Sequence, residues 1–377
     1  MSEQSYRYDL LSCAKSLYAE LGLSRKFRGL AGCCSRHNPM SGGFFGFSIM
    51  GGSVVVRGRN HCHNRACCPV CSYPRQRRMM SDICHGIWTA RHNGHGVYLV
   101  TLTFSHGIDD DLGAIQYLMA SARQSMYRQG GFRSGIRALG YFGRIVDYEV
   151  QLLGKHGPHP HTHELFFADA GLSTDEILYL YDKYWIGSLY DAGLSGRVGV
   201  ACKVTGYQGV GDYITKMGSE VCLSNFTKES WGGGSMSPMR VLQAFAETGE
   251  TKYADAWIDY ITNIRCKRII GFSRGLRGAL GLADFSDFSD DDSGLYDGDL
   301  LQIHPGCIEK IPLADWYRIC EDINHGELEK VLRYLKDIQI LYDVKADGLN
   351  KYNGLISCLK GGDVEELVKM VKTKRKG

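Results

Sequence analysis

Gly157-Pro158-His159-Pro160-His161-Thr162-His163-Glu164-Leu165-Phe166-Phe167 sets three histidines at alternate positions ahead of an apolar run. On a β-strand, successive side chains point to opposite faces, so residues two apart share a face. His161 and His163 therefore present two imidazoles side by side, as two ligands of one metal ion require. His159 lies on the same face, but Pro160 marks a strand start or a sheet edge. The metal pair is thus read as His161 and His163.

The segment before it, Phe142 to Leu152, also reads as a strand. Val146, Tyr148, Val150 and Leu152 form an apolar face, while Ile145, Asp147, Glu149 and Gln151 share the other. Gly154-Lys155-His156-Gly157 turns the chain back as a hairpin. A turn centred near Lys155 or His156 sets Glu149 opposite His161 or His163, and two imidazoles and a carboxylate converge. Mixed nitrogen and oxygen ligands suit Mn²⁺ or Zn²⁺ better than Mg²⁺, so ligand type alone leaves the metal open. The competing reading is a histidine-rich loop without a site.

A second metal motif lies upstream, in Cys62-His63-Asn64-Arg65-Ala66-Cys67-Cys68-Pro69-Val70-Cys71. The C-x-x-C spacing of Cys68 and Cys71 lets two thiolates reach one tetrahedral Zn²⁺. Cys62 supplies a third ligand and Cys33 or Cys34 a fourth. Cys67 competes with Cys68, and His61 or His63 can substitute. A closed four-ligand site is structural, because it leaves no open position for chemistry. A redox C-x-x-C is the rival reading, but no thioredoxin-like unit surrounds it.

Around these motifs the pattern gives an α+β fold. Tyr8 to Leu21 is an amphipathic helix and Phe47 to Val56 a strand. A helix from Tyr73 to Arg91 opens on Arg75, Arg77 and Arg78, whose charge can lie along a phosphate backbone. Val97 to Phe104 is β-branched and aromatic, hence a central strand. Leu112 to Arg128 is a helix. Ser173-Thr174-Asp175-Glu176 is a capping box opening another, and Arg197 to Val204 is a strand. This order implies an antiparallel central sheet with helices largely on one face. A small zinc-binding module precedes it and a helical C-terminal appendage follows. The expected segments are 1–95 for the N-terminal helix and zinc module, 96–283 for the central domain, 284–300 for an acidic linker and 301–377 for the appendage. In the appendage, Leu313 to Cys320, Gly326 to Tyr342 and Asp363 to Val371 read as helices.

The helix after the last central strand holds Tyr213-Ile214-Thr215-Lys216. Residues three apart share a helix face, so Lys216 accompanies Tyr213. A phenol is a poor nucleophile until a metal or an ammonium stabilises its phenolate. Among 22 tyrosines, spacing alone does not separate Tyr213 from a packed or surface residue.

The net charge of +3 hides an asymmetry: residues 1–283 hold 31 Lys and Arg against 22 Asp and Glu, and residues 284–377 hold 13 against 19. A basic body is compatible with a polyanionic partner. No apolar run is long enough to span a bilayer, and the N-terminus has no signal pattern. The expectation is a cytoplasmic protein with no membrane partner, whose cysteines serve metal more than disulfides.

Several segments together resemble the rolling-circle plasmid replication initiators of the HUH endonuclease superfamily. They are Tyr98 to His106, the histidine motif preceded by Glu149, and Tyr213 to Lys216, with a cysteine cluster upstream. Ser237 to Leu242 and Gly271 to Arg277 resemble the closing segments. The likeness runs from about residue 28 to 278. It implies Mg²⁺ or Mn²⁺ held by His161, His163 and Glu149, and Zn²⁺ in the cysteine module. It implies Tyr213 as nucleophile with Lys216 near the phosphate, a 5′-phosphotyrosine intermediate and a free 3′-OH primer. The implied partners are plasmid origin DNA, single-stranded or extruded as a hairpin, and a host helicase and polymerase. Two departures stand out. Thr162 occupies a position usually hydrophobic, and Gly209 stands where some relatives place a water-activating glutamate, a role left to Asp212 or Glu220. A single-strand transposase of the same superfamily and a non-catalytic zinc DNA-binding regulator are the alternative functions.

Overall fold

Alternation along Val97-Tyr98-Leu99-Val100-Thr101-Leu102 gives a strand apolar on both faces, and such a strand must be covered from two sides. The computed structural model describes residues 3–36, 38, 44–50, 53–64, 66–221, 234–264, 270–282, 298–313, 315–347, 349, 350 and 352. The chain opens with α1 (Glu3–Glu20), α2 (Arg28–Ala31), β1 (Gly46–Met50) and β2 (Ser53–Arg57). Then come α3 (Pro69–His92), β3 (His95–Leu102), α4 (Leu112–Arg128) and α5 (Gly130–Ala138). The hairpin β4 (Gly143–Gly154) and β5 (Gly157–Asp169) leads to α6 (Thr174–Asp191), β6 (Cys202–Thr205) and α7 (Tyr207–Val221). After them lie α8 (Pro238–Thr248), α9 (Thr251–Asn263), β7 (Ile270–Phe272) and α10 (Leu276–Ala279). The last elements are β8 (Gly298–Ile303), α11 (Asp315–Asn324), α12 (Leu328–Asp337) and β9 (Tyr342–Val344).

Two units divide the chain, Met1–Cys62 with Phe288–Gly377, and His63–Asp287. The first holds an antiparallel sheet of order β2-β1-β8-β9. The strand expected over Phe47 to Val56 is in fact two antiparallel strands of this sheet, paired from Gly46 with Arg57 to Met50 with Ser53. Phe45, Phe47, Leu301 and Ile303 pack with Trp316, Ile319, Val331 and Leu335 of α11 and α12. The C-terminal segment is therefore not the purely helical appendage expected. Two of its stretches are strands, because β1 has a free edge that β8 completes. The acidic run 284–297 and the helix expected over Asp363 to Val371 lie outside the described residues.

In the second unit the sheet order is β6-β3-β5-β4-β7, antiparallel throughout. Tyr98, Val100, Leu102, Phe166 and Ala168 face one way, into Met119, Ala122, Phe132, Tyr181 and Trp185 of α4, α5 and α6. Val97, Leu99, Ile145, Leu165 and Phe167 face the other, into Ile83 and Ile87 of α3, Val210 and Tyr213 of α7, and Leu276. Helices thus cover both faces rather than largely one, as the doubly apolar central strand requires. The capping box at α6 is formed, with Ser173 Oγ accepting from the Glu176 amide at 3.2 Å and Glu176 Oε2 accepting from the Ser173 amide at 2.9 Å. No helix among the described residues is long and apolar enough to cross a membrane.

Beneath α4 and α6 lies a buried polar knot. Glu164 has no solvent exposure. Its Oε1 accepts from Arg123 at 3.0 Å, Tyr127 and Tyr181 donate to Oε2, and Arg144 Nε stands 3.9 Å away. Burial alone would raise the carboxyl, but Arg144 and Arg123 hold it below the usual carboxylate value. Neutralising this anion strands two partly buried guanidinium groups, at a cost of several kcal/mol. Glu164→Gln should therefore lower unfolding stability by about 3 kcal/mol in urea at neutral pH. The lowered folded pKa means this contribution is present above pH 4.5 and is lost as pH falls below it. The acid-side slope of stability should be shallower in Glu164→Gln, measurable as urea midpoints across that range.

Candidate metal centre

Register decides which side chains meet. Glu149 pairs with His161, Asp147 with His163 and Gln151 with His159, while Thr101 of β3 flanks His163 on its other side. Directly opposed residues project from the same face, so Asp147, Glu149, His161 and His163 share the face covered by α3 and α7.

This register is not what the turn alone dictates. Gly154 pairs with Gly157 around Lys155-His156, and uninterrupted pairing from that turn sets Glu149 opposite Thr162. The carboxylate would then leave the imidazole face, since a one-residue slip flips every side chain. A bulge corrects it: Leu152 and Leu153 together stand against Pro158. Leu153 adopts φ 59°, a left-handed conformation unusual for leucine. Leu152 is held through reciprocal backbone hydrogen bonds with Met236 at 2.7 and 2.8 Å.

Within the centre, Glu149 Oε2 lies 3.2 Å from His161 Nε2 and Oε1 lies 3.6 Å from His163 Nε2. Glu149, His161 and His163 offer ligand atoms all within 4.8 Å of one another. The far side of each ring is committed. His163 Nδ1 is 2.9 Å from Thr101 Oγ1, and His161 Nδ1 donates to the His159 carbonyl at 3.3 Å. A carbonyl only accepts, so the Nδ1 side of His161 is taken by that contact and Nε2 is the atom turned toward the carboxylate. The donor set fits a divalent ion, with the outer contacts fixing ring orientation as metal-bound histidines require.

His159 is engaged elsewhere. Its Nε2 meets Thr103 Oγ1 at 3.1 Å and its Nδ1 meets His106 Nε2 at 2.6 Å. Burial, then the neighbouring His161 and His106, lower it to about 4, so the ring is neutral. Tyr213 approaches from α7, 5% exposed, its ring centroid 5.0 Å from that of His163. Its hydroxyl donates to Asp147 Oδ2 at 2.6 Å. The side chain of Lys216 lies outside the described residues. Thr162, in the motif's middle, is buried on the opposite face. At Gly209 a Cβ would meet Thr205 Oγ1 at 2.1 Å, so the fold has no room there for a glutamate.

Spacing had singled out neither Asp147 nor Thr101. Both were findable by alternation, Asp147 two residues before Glu149 and Thr101 on the central strand. The bulge had no such signal.

Of the four cysteines expected to share a metal, Cys33 and Cys62 lie together in the first unit and Cys68 and Cys71 in the second. The Cys62 amide donates to Cys33 Sγ and the Cys71 amide to Cys68 Sγ, each at 3.4 Å. Such donors favour thiolates over thiols. Cys67 is buried and is not one of the four, and Cys34 belongs to a second group with Cys33 and His61. Arg78 is exposed on α3, while the side chains of Arg75 and Arg77 lie outside the described residues.

The chain is 25% identical over 327 residues to a protein named "Protein rep" from Streptomyces lividans, covering 68% of this chain and 71% of that one. No family model and no solved structure matches the chain.

The bulge makes a direct test of register. Glycine adopts positive φ without the side-chain clash, and valine tolerates it least. Leu153→Gly should raise stability by up to about 1 kcal/mol and leave Mn²⁺ binding intact. Leu153→Val should lower both, read by urea unfolding and calorimetric Mn²⁺ titration.

Proposed function

We propose that the chain is a replication initiator that nicks single-stranded origin DNA with Tyr213, using a divalent ion held by Glu149, His161 and His163. The observation that carries this reading is the position of the Tyr213 hydroxyl. It is hydrogen-bonded at 2.6 Å to a carboxylate of the same sheet face, with its ring against His163. Tyr127 and Tyr181 also donate to a buried carboxylate; what sets Tyr213 apart is that its carboxylate partner shares a sheet face with Glu149, His161 and His163. Likeness to a protein named for replication supports the same reading.

In this reading each residue has a separate task. Asp147 orients the phenol and accepts its proton as the Tyr213 oxygen bonds to phosphorus. The bond to the 3′ oxygen breaks in line, and that oxygen takes a proton from water to become the free 3′-OH. A divalent ion, when bound, polarises the scissile phosphate and offsets its developing charge. Thr101 and the His159 carbonyl keep the two imidazoles aimed. The phosphotyrosine bond conserves the energy of the broken diester, so rejoining needs no nucleoside triphosphate. Lys216 is proposed near the phosphate, and the basic start of α3 at Arg75, Arg77 and Arg78 along the backbone.

The four cysteines are proposed to hold structural Zn²⁺, since thiolates in a closed set select it. Elemental analysis of the purified chain should find about one zinc per molecule, with that metal lost in Cys71→Ser.

The chemistry is tested by incubating a single-stranded origin oligonucleotide with Mn²⁺ and resolving protein–DNA adducts on a denaturing gel. Wild type should form the adduct and Tyr213→Phe none. His161→Ala should slow its formation by roughly a hundredfold or more while gel-shift binding persists. An undiminished adduct in Tyr213→Phe would remove the nucleophile from this account.

A further inference from the structure

Trp88 is 62% exposed and Tyr207 57% exposed, although large aromatics are costly to leave in water. Both belong to helices that pack on the face of the metal centre. The Trp88 indole stacks on His92, centroids 5.0 Å apart and planes within 9°, and the His85 ring lies tilted with its centroid 6.2 Å away. Beside it the Arg91 guanidinium lies 3.7 Å over the Tyr207 ring. Arg78, His85, Trp88 and His92 follow one another at helical spacing along an exposed stripe of α3.

Charge narrows the partner. α3 carries four arginines and a single carboxylate, Asp82, which Arg277 engages at 2.9 Å. A partner for this stripe therefore combines negative charge with flat rings. Duplex DNA hides its bases, whereas an unpaired strand offers both its phosphates and its bases. Tyr207 opens α7 and Tyr213 follows it by six residues, about 9 Å along the axis. A strand lying on the stripe thus has a short path to the metal centre.

We propose that Trp88, flanked by His92 and by Arg91 on Tyr207, is a stacking platform for unpaired nucleotides of the DNA strand that enters the metal centre. This rests on reading that centre as a DNA-cutting site, so the test measures binding without cutting. Full-length Tyr213→Phe is titrated into labelled oligothymidylate, and separately into a labelled duplex, by fluorescence anisotropy. Adding Trp88→Ala should weaken single-strand binding roughly tenfold, change duplex affinity less than about twofold, and be largely rescued by Trp88→Phe. Alanine suits an exposed helical position, so folding is preserved. Unchanged single-strand affinity in Trp88→Ala, or an equal loss on duplex, overturns the platform. Tighter binding of oligouridylate than of oligothymidylate overturns its assignment to DNA. Should wild type form no adduct while Trp88→Ala still loses single-strand affinity, the nicking reading fails and the platform stands.

Discussion

The pairing of β4 with β5 is the constraint on which the second unit depends. Neighbouring residues of β5 serve opposite surfaces: His163 faces Glu149, and Glu164 faces two partly buried arginines. A slip of one residue would bring Glu149 and Asp147 toward the apolar and cationic layer under α4 and α6. It would leave His161 and His163 without their carboxylate. The register is thus held from both faces, by the ion-paired knot on one side and the Glu149, His161 and His163 group on the other. Leu153 in a left-handed conformation is the local strain that this pairing tolerates.

Alternation made the metal face legible in the sequence. It placed His161, His163 and Glu149 together because period-two geometry leaves little freedom once a hairpin is assumed. The capping box at Ser173 and the limits of α4 were legible for the same reason, since both rest on local chemistry. Parity of the register was less accessible. Turn centre and bulge compensate each other between Leu152 and Gly157, and neither has a compositional mark. Partnership across the chain was also hidden. β1 pairs with β8 across some 250 positions, as in Ser48 with Asp299, and no local pattern encodes such a contact. Hence the C-terminal segment read as helices alone.

Tyr213 shows the same division. As one tyrosine among 22 it carried no signal of its own, and only resemblance drew attention to it. Its setting became visible through Asp147, whose carboxylate shares a face with Glu149. Here strand alternation, a rule of the sheet, selects a residue on a helix, because α7 is laid across the face that the rule defines.

α3 draws these levels together. It begins at Cys68, whose sulfur caps it by accepting from the Cys71 amide. A metal on those sulfurs would fix the helix at its first turn. Twenty residues on, the helix presents Trp88 outward while Ile83 and Ile87 seat it on the sheet. One rigid element therefore sets the distance from the cysteines to the exposed indole, and the sheet beneath sets the distance from that indole to the histidines. On the proposed reading a flexible strand is held against a buried ion, and the outer contacts then need to be as immobile as the ligands. A helix anchored at its end and along its length meets that need better than a loop, because its side chains keep fixed positions without drawing on the strand's binding energy.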